Sequence, residues 1–238
     1  MAKRIKKKRN WGLIIGVILF LSLLLSLVFA FYRLISMPQY PAAGEKSRGD
    51  YLLMVVQCML GLVVMFLPSF IQKKWRIGIP NYMYVAYFIF LFCAIYLGEI
   101  RNFYYLIPHW DTILHTFSGM MLGALGFTLV TLLNDEPSVR LNLSPRFIAL
   151  FAFCFALALG ALWEIYEYTV DGVLSLNMQK YMLADGTQLV GRAALTDTMK
   201  DIVVDAIGAL VVSIAGYYML KKTGKKKEED TPKEQEPS

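Results

Sequence analysis

Apolar residues run along this chain in six long, unbroken stretches, with the polar and charged positions collected between them. The stretches are Trp11 to Tyr32, Tyr51 to Ile71, Asn81 to Leu97, Thr112 to Leu133, Phe147 to Val170 and Ile202 to Leu220. A bilayer core of about 30 Å takes roughly 20 apolar residues as a helix, and each stretch approaches that length. Runs that are continuously apolar, with no alternation, exclude a membrane β-barrel. The pattern predicts an all-α, polytopic bundle of six transmembrane helices. The third run is the shortest, and Pro80 in front of it suits a helix start, where the missing N–H costs nothing. A basic segment over 1–10 precedes the six-helix domain of 11–220. The tail over 221–238 is charged, Pro-containing and free of aromatics, which predicts disorder.

Composition agrees with this reading. The 238 residues are 57% hydrophobic and 18% charged, against about 45–50% and about 25% in soluble domains. A disordered chain and a disulfide-stapled secreted domain are both excluded. The net charge of +6 does not indicate nucleic-acid binding, because the cations sit in short runs beside apolar segments. Cys58, Cys93 and Cys154 all fall inside predicted spans and read as small apolar packing residues.

The same cations set the expected orientation. With the N-terminus in the cytoplasm, cytoplasmic segments hold seventeen of the 24 Lys and Arg residues, including Lys3 to Arg9 and the tail. The positive-inside rule then gives N-in and C-in. The first span has the basic flank of a signal peptide, but its apolar run exceeds an h-region and no wholly soluble domain follows, so it reads as a retained anchor.

Candidate chemistry lies in the few ionisable residues within or beside spans, which cost several kcal/mol each in lipid and usually mark function. Asp111 and His115 open the fourth span, Glu164, Glu167 and Asp171 end the fifth, and Asp197, Asp201 and Asp205 lead into the sixth. Glu99 and Arg101 follow the third. The spans alternate in direction, yet all of these fall at the outer ends. At about 100° per residue each of the last three helices presents one acidic stripe. Seven carboxylates gathered in one pocket would repel strongly unless a cation sits among them.

Carboxylate oxygens with one imidazole suit Mg²⁺, Mn²⁺ or Ca²⁺, or Zn²⁺ where the histidine binds. The candidate metal ligands are Asp111, His115, Asp201 and Asp205. Glu164, Glu167 and His115 are candidate acid–base groups, and Arg101 and Arg192 candidate phosphate holders. Asp171 and Asp197 read equally well as helix-end caps, and His109, beside Trp110, as an interfacial residue. Ser118, Gly119, Gly123 and Gly126 on the fourth span, Gly160 and Ala161 on the fifth, and Gly208 and Gly216 on the sixth form small-residue seams that let helices approach closely.

His109-Trp110-Asp111, His115, Ser118-Gly119, the run Trp163 to Glu167, and Asp197, Asp201, Asp205 with Gly208-Ala209 together resemble the YjdF-like family of bacterial membrane-spanning proteins. The resemblance covers roughly the second half of the chain and implies a multi-pass protein of the bacterial cytoplasmic membrane; it brings little chemistry with it. Asp201 to Gly208 is distantly similar to VanZ-like membrane proteins. Neither Asp171-Gly172 nor Asp185-Gly186 stands at the spacing of CDP-alcohol phosphotransferases, and the aspartates face outward, unlike those of UbiA-type prenyltransferases.

Three functional classes remain open on sequence. One is a metal-dependent hydrolase or transferase acting on a phosphorylated lipid or lipid-linked headgroup. Another is a cation- or proton-coupled transporter, against which the clustering of acids at one end speaks. The third is a non-catalytic sensor or assembly protein with a structural ion. The lipid bilayer is the expected partner in every case, and the oligomeric state is open.

Overall fold

The computed structural model describes residues 10–38, 46–75, 78–79, 81–135, 142–183 and 186–230, with the backbone alone at 75, 135 and 224–230. Pro80 lies outside the described residues, as do 1–9 of the basic first segment and 231–238 of the tail. The helices are α1 (Trp11–Ser36), α2 (Arg48–Val64), α3 (Leu67–Trp75), α4 (Asn81–Leu91) with a π-helical continuation over Phe92–Ile100, α5 (Phe103–Leu106), α6 (Trp110–Asp135), α7 (Pro145–Leu174) and α8 (Arg192–Asp230). Six helical spans are long and apolar enough to cross a membrane, and they contain the six expected stretches.

The helix ends extend past the apolar runs for local reasons. Ser47 Oγ accepts from the Asp50 amide at 3.1 Å while Asp50 Oδ2 accepts from the Ser47 amide at 2.7 Å, a reciprocal cap that starts α2 at Arg48. Glu99, expected just past the third span, lies inside its π-helical part. The last helix begins at Arg192 instead of Ile202 and continues to Asp230, so a helix occupies the first part of the tail for which disorder was expected. Lys and Glu propagate a helix readily once the span has nucleated it.

The chain forms two compact units. In the first, α1 packs against α2, α4 and the π-helical segment. Leu19, Leu23, Cys58, Phe88, Leu91 and Ile95 make one buried cluster, and Ala30, Tyr51, Met54 and Val55 another. The second span is interrupted at Met65–Phe66, because Pro68 has no N–H to give to the Val64 carbonyl. The Tyr87 hydroxyl donates to that carbonyl instead, at 2.7 Å. In the π-helical segment the Arg101 amide reaches back five residues to the Tyr96 carbonyl at 2.9 Å, and Trp110 Nε1 donates to the Cys93 carbonyl at 3.3 Å.

The second unit contains α7, α8 and all but the first turn of α6. Its contacts climb together along α6 and α8. A Cβ at Gly119 would strike the Asp205 backbone, one at Gly208 the Thr116 carbonyl, and one at Gly216 the Phe127 ring. These two helices are therefore parallel and touch backbone to backbone. Helix α7 runs the other way: its Phe155 ring fills the space a Gly126 side chain would take, and a Cβ at its Gly160 would stand only 2.6 Å from Asp205 Oδ2. Phe127, Val130, Ile148 and Ala152 close the far end. The small-residue seams predicted from spacing are thus real packing surfaces.

In both units the outward faces stay apolar. Val63 is 72% exposed in the first unit and Ile165 58% in the second. Cys154, expected to pack inside, is also exposed. Surfaces of this kind are covered by lipid tails, and water has no role in driving the helices together.

Two substitutions test this account. Tyr87→Phe strands the Val64 carbonyl in a dry layer and should cost about 1–3 kcal/mol, read as a lower melting temperature in detergent; an unchanged melting temperature would show that the carbonyl has another partner. Gly208→Val forces α6 and α8 apart and should destabilise by about 1–3 kcal/mol or more, whereas a valine at the outward-facing neighbour Ile207 should be nearly silent.

Candidate functional site

The close approach of α6 and α8 brings a polar group into the middle of the second unit. His115, on α6, is 9% exposed, and Asp201 and Asp205, on α8, are each 2% exposed. The i, i+4 spacing that put the two aspartates on one stripe of α8 is what turns both toward α6. His115 Nδ1 lies 3.2 Å from Asp205 Oδ2, while Nε2 lies 3.9 Å from Asp201 Oδ2. Ser118, one turn along α6, has its hydroxyl 2.8 Å from Asp205 Oδ1 and 2.9 Å from the His115 carbonyl. Asp205 therefore has a partner on each oxygen. Gly160 of α7 lies flat against the same carboxylate, and a side chain there would displace it.

These contacts give the imidazole a defined role. A hydrogen bond from Nδ1–H to Asp205 leaves Nε2 as the acceptor nitrogen, aimed toward Asp201. The 3.9 Å between Nε2 and the Asp201 oxygen is too long for a hydrogen bond. It is also longer than the spacing of two tetrahedral ligands about 2.0–2.2 Å from a common ion, so a shared ion would draw the two groups closer. A carboxylate that orients a histidine from behind while the other nitrogen faces the site is a recurrent arrangement at metal centres.

Glu164 completes the picture from α7. It is 4% exposed, both of its carboxylate oxygens are buried, and Thr198 and Gln179 are its polar side-chain neighbours. It stands one turn beyond Gly160 on the same stripe, within electrostatic range of His115 and Asp197. A carboxylate buried at this depth costs several kcal/mol.

The remaining candidates fall into other places. Asp171 is buried, and its carboxylate accepts from the Met178 amide at 2.8 Å and the Gln179 amide at 3.0 Å; it brackets the loop after α7. That loop carries Gln179 back to the bundle, where its amide donates to Thr198 Oγ1 at 2.8 Å and approaches the Glu164 carbonyl at 3.4 Å. Asp197 is paired with Lys180 at 3.3 Å. Glu167 sits on a half-exposed face and accepts from Trp163 Nε1 at 2.9 Å. Arg192 is exposed at the start of α8, nine residues and so roughly 13 Å of helix before Asp201.

Asp111 occupies the first turn of α6, one turn ahead of His115 on the same stripe. In the first unit Arg101 is exposed and ends the π-helical segment. His109 is exposed, with a left-handed backbone (φ 62°) in the turn before α6. Three contributors escaped sequence reasoning. Ser118 read only as a small packing residue, although its place three residues after His115 was a usable signal. Gln179 and Thr198 had none, because a loop residue's destination depends on the bracket that Asp171 forms.

With this geometry in view, comparisons with known proteins place the chain. An uncharacterized protein of Thermotoga maritima is 28% identical over 206 residues, covering 76% of this chain and 95% of its own length. No solved structure matches. A family model described as "Predicted membrane protein (DUF2238)" matches residues 16–222, nearly the whole helical domain and both stripes of the buried Asp–His–Asp group. The chain belongs to that membrane-protein family.

Proposed function

We propose that the α6–α7–α8 bundle is a divalent-metal centre and that the protein is a metal-dependent hydrolase or transferase acting on a phosphorylated lipid or lipid-linked headgroup. The observation that carries this reading is a histidine oriented by Asp205 whose ligand atom and those of Asp111 and Asp201 all lie within 4.8 Å of one another. His115 Nε2 and Asp201 are the primary ligands, and Asp111, one turn ahead on the helix stripe of His115, is a further one. Asp205 holds His115 through Nδ1 and is a ligand only through that support. Mg²⁺, Mn²⁺ and Zn²⁺ all suit a carboxylate-rich set with one imidazole.

When bound, such an ion polarises a phosphoryl oxygen and lowers the pKa of a coordinated water. Glu164, buried beside Thr198 and Gln179, would serve as the general base that takes a proton from an attacking water. Gln179 and Thr198 lie beside it on the loop and α8 and fix the substrate side of the site. Glu167 and Arg192 play a lesser part, since the first is committed to Trp163 and the second stands well along α8.

The membrane setting that fits is the bacterial cytoplasmic membrane, with both termini in the cytoplasm and the acidic ends of the last three spans at the outer leaflet. The excess of Lys and Arg on the opposite loops supports that orientation, and the Thermotoga relative supports the bacterial setting.

Metal analysis of detergent-purified protein tests the centre: one ion per chain is expected, absent from the Asp201→Asn/Asp205→Asn double variant. A native protein with no ion after gentle purification would overturn the metal reading and leave a shared proton among the carboxylates in its place. Glu164→Gln separates catalysis from metal binding. It should retain the ion and lose turnover of phosphorylated lipids by about 10²-fold or more; full turnover would remove Glu164 from the chemistry, and loss of stability alone on chelation would favour a structural ion.

A further inference from the structure

The first unit contains a groove that the metal reading does not use. It has a volume of about 600 Å³ and is open on one side between α1, α3 and α4, within the roughly 300–1,000 Å³ of small-ligand sites. Its wall is Val17, Phe20 and Phe66, and its other end is polar, formed by Ser69, Gln72 and Asn81. The wall belongs to spanning helices and its residues remain exposed, Val17 at 48% and Phe66 at 56%. The groove therefore opens sideways into the lipid layer.

The polar end has a consistent chemical sense. Asn81 Oδ1 accepts from the Gly12 amide at 3.2 Å, and Gln72 Oε1 accepts from the Tyr84 hydroxyl at 2.6 Å. With both oxygens engaged, the two side chains turn N–H donors toward a ligand, and Ser69 adds a hydroxyl. Lys73 follows Gln72 in the last turn of α3, Lys74 Nζ lies 5.6 Å from the centre of the Phe70 ring one turn earlier, and the cations of Lys3 to Arg9 precede α1 in sequence. Residues 1–44 and 51–98 contain no Asp or Glu. An apolar trough that ends in donors, with cations adjoining it in sequence and no acid in these segments, is complementary to an acyl chain carrying an anionic headgroup.

We propose that this groove binds an anionic phospholipid, one acyl chain lying along Val17, Phe20 and Phe66 and the phosphate held by Asn81, Gln72, Ser69 and the two lysines. A zwitterionic phospholipid offers the same phosphate but brings a quaternary ammonium among the neighbouring lysines, which disfavours it. A loosely held annular lipid needs neither the trough nor its polar end.

Native mass spectrometry of the delipidated full chain, titrated with phosphatidylglycerol and phosphatidylcholine of identical acyl chains, tests this. The wild type should hold one phosphatidylglycerol at several-fold lower concentration than phosphatidylcholine. Val17→Trp and Ser69→Phe, made separately so that one folding failure leaves the other, each fill the trough and should weaken phosphatidylglycerol binding at least tenfold. Leu25→Phe, on an outward position of the same helix, should leave it unchanged. Lys73→Gln/Lys74→Gln should abolish the headgroup preference while phosphatidylcholine binding stays as it was. Equal binding of both lipids by the wild type, or undiminished phosphatidylglycerol binding by a folded trough-filled variant, would overturn the proposal.

Discussion

In a lipid layer a polar group has no water to fall back on, so each must find its partner within the protein. That constraint concentrates the second unit on Asp205. Its two oxygens are taken by His115 and Ser118, its backbone lies against Gly119, and its carboxylate rests on Gly160. The glycines and the acid are parts of one device. Without side chains at 119, 160 and 208, α6, α7 and α8 come close enough for short polar side chains to meet. Those polar contacts in turn supply association energy that apolar surfaces in lipid do not.

The first unit answers the same constraint differently. Where Pro68 breaks the second span, Tyr87 supplies the missing donor; at the start of α1, Asn81 accepts the Gly12 amide; in the π-helical segment, Trp110 donates to the Cys93 carbonyl. In each case a side chain from another element satisfies backbone that helix geometry leaves open. The groove lies beside one of these irregular positions, the interruption of the second span at Met65 and Phe66.

How much of this was legible in the sequence follows from the range of each interaction. The six spans were legible because a run of apolar residues is a local signal that lipid alone enforces. The seams were legible from glycine spacing, and the Asp–His–Asp group from i, i+4 spacing on two helices. Helix ends were not, since the Ser47–Asp50 cap and the polar opening of α8 lie outside the apolar runs. The π-helical turns left no sequence mark distinct from an α-helix. Asp171 looked like a solvated cap and is a buried bracket, because the amides of Met178 and Gln179 fold back onto it. That is a contact made by a loop, and loops carry no periodicity.

The charge balance of the second unit gives the strongest reason to look for an ion. Asp171 is matched by two amides and Asp197 by Lys180. Asp205 is matched by His115 and Ser118, which leaves that histidine already spoken for on one nitrogen. Among the described residues no lysine or arginine is buried, while Glu164, Asp201 and Asp205 are. Three carboxylates and a single imidazole cannot all be charged in a medium that disfavours each charge by several kcal/mol. Protons can neutralise part of the excess, and Thr198 and Gln179 stand beside Glu164 as hydrogen-bonding neighbours. The proposed divalent cation would answer the charge of Asp201 and use the His115 nitrogen that faces it, which is why the charge balance and the metal reading stand or fall together.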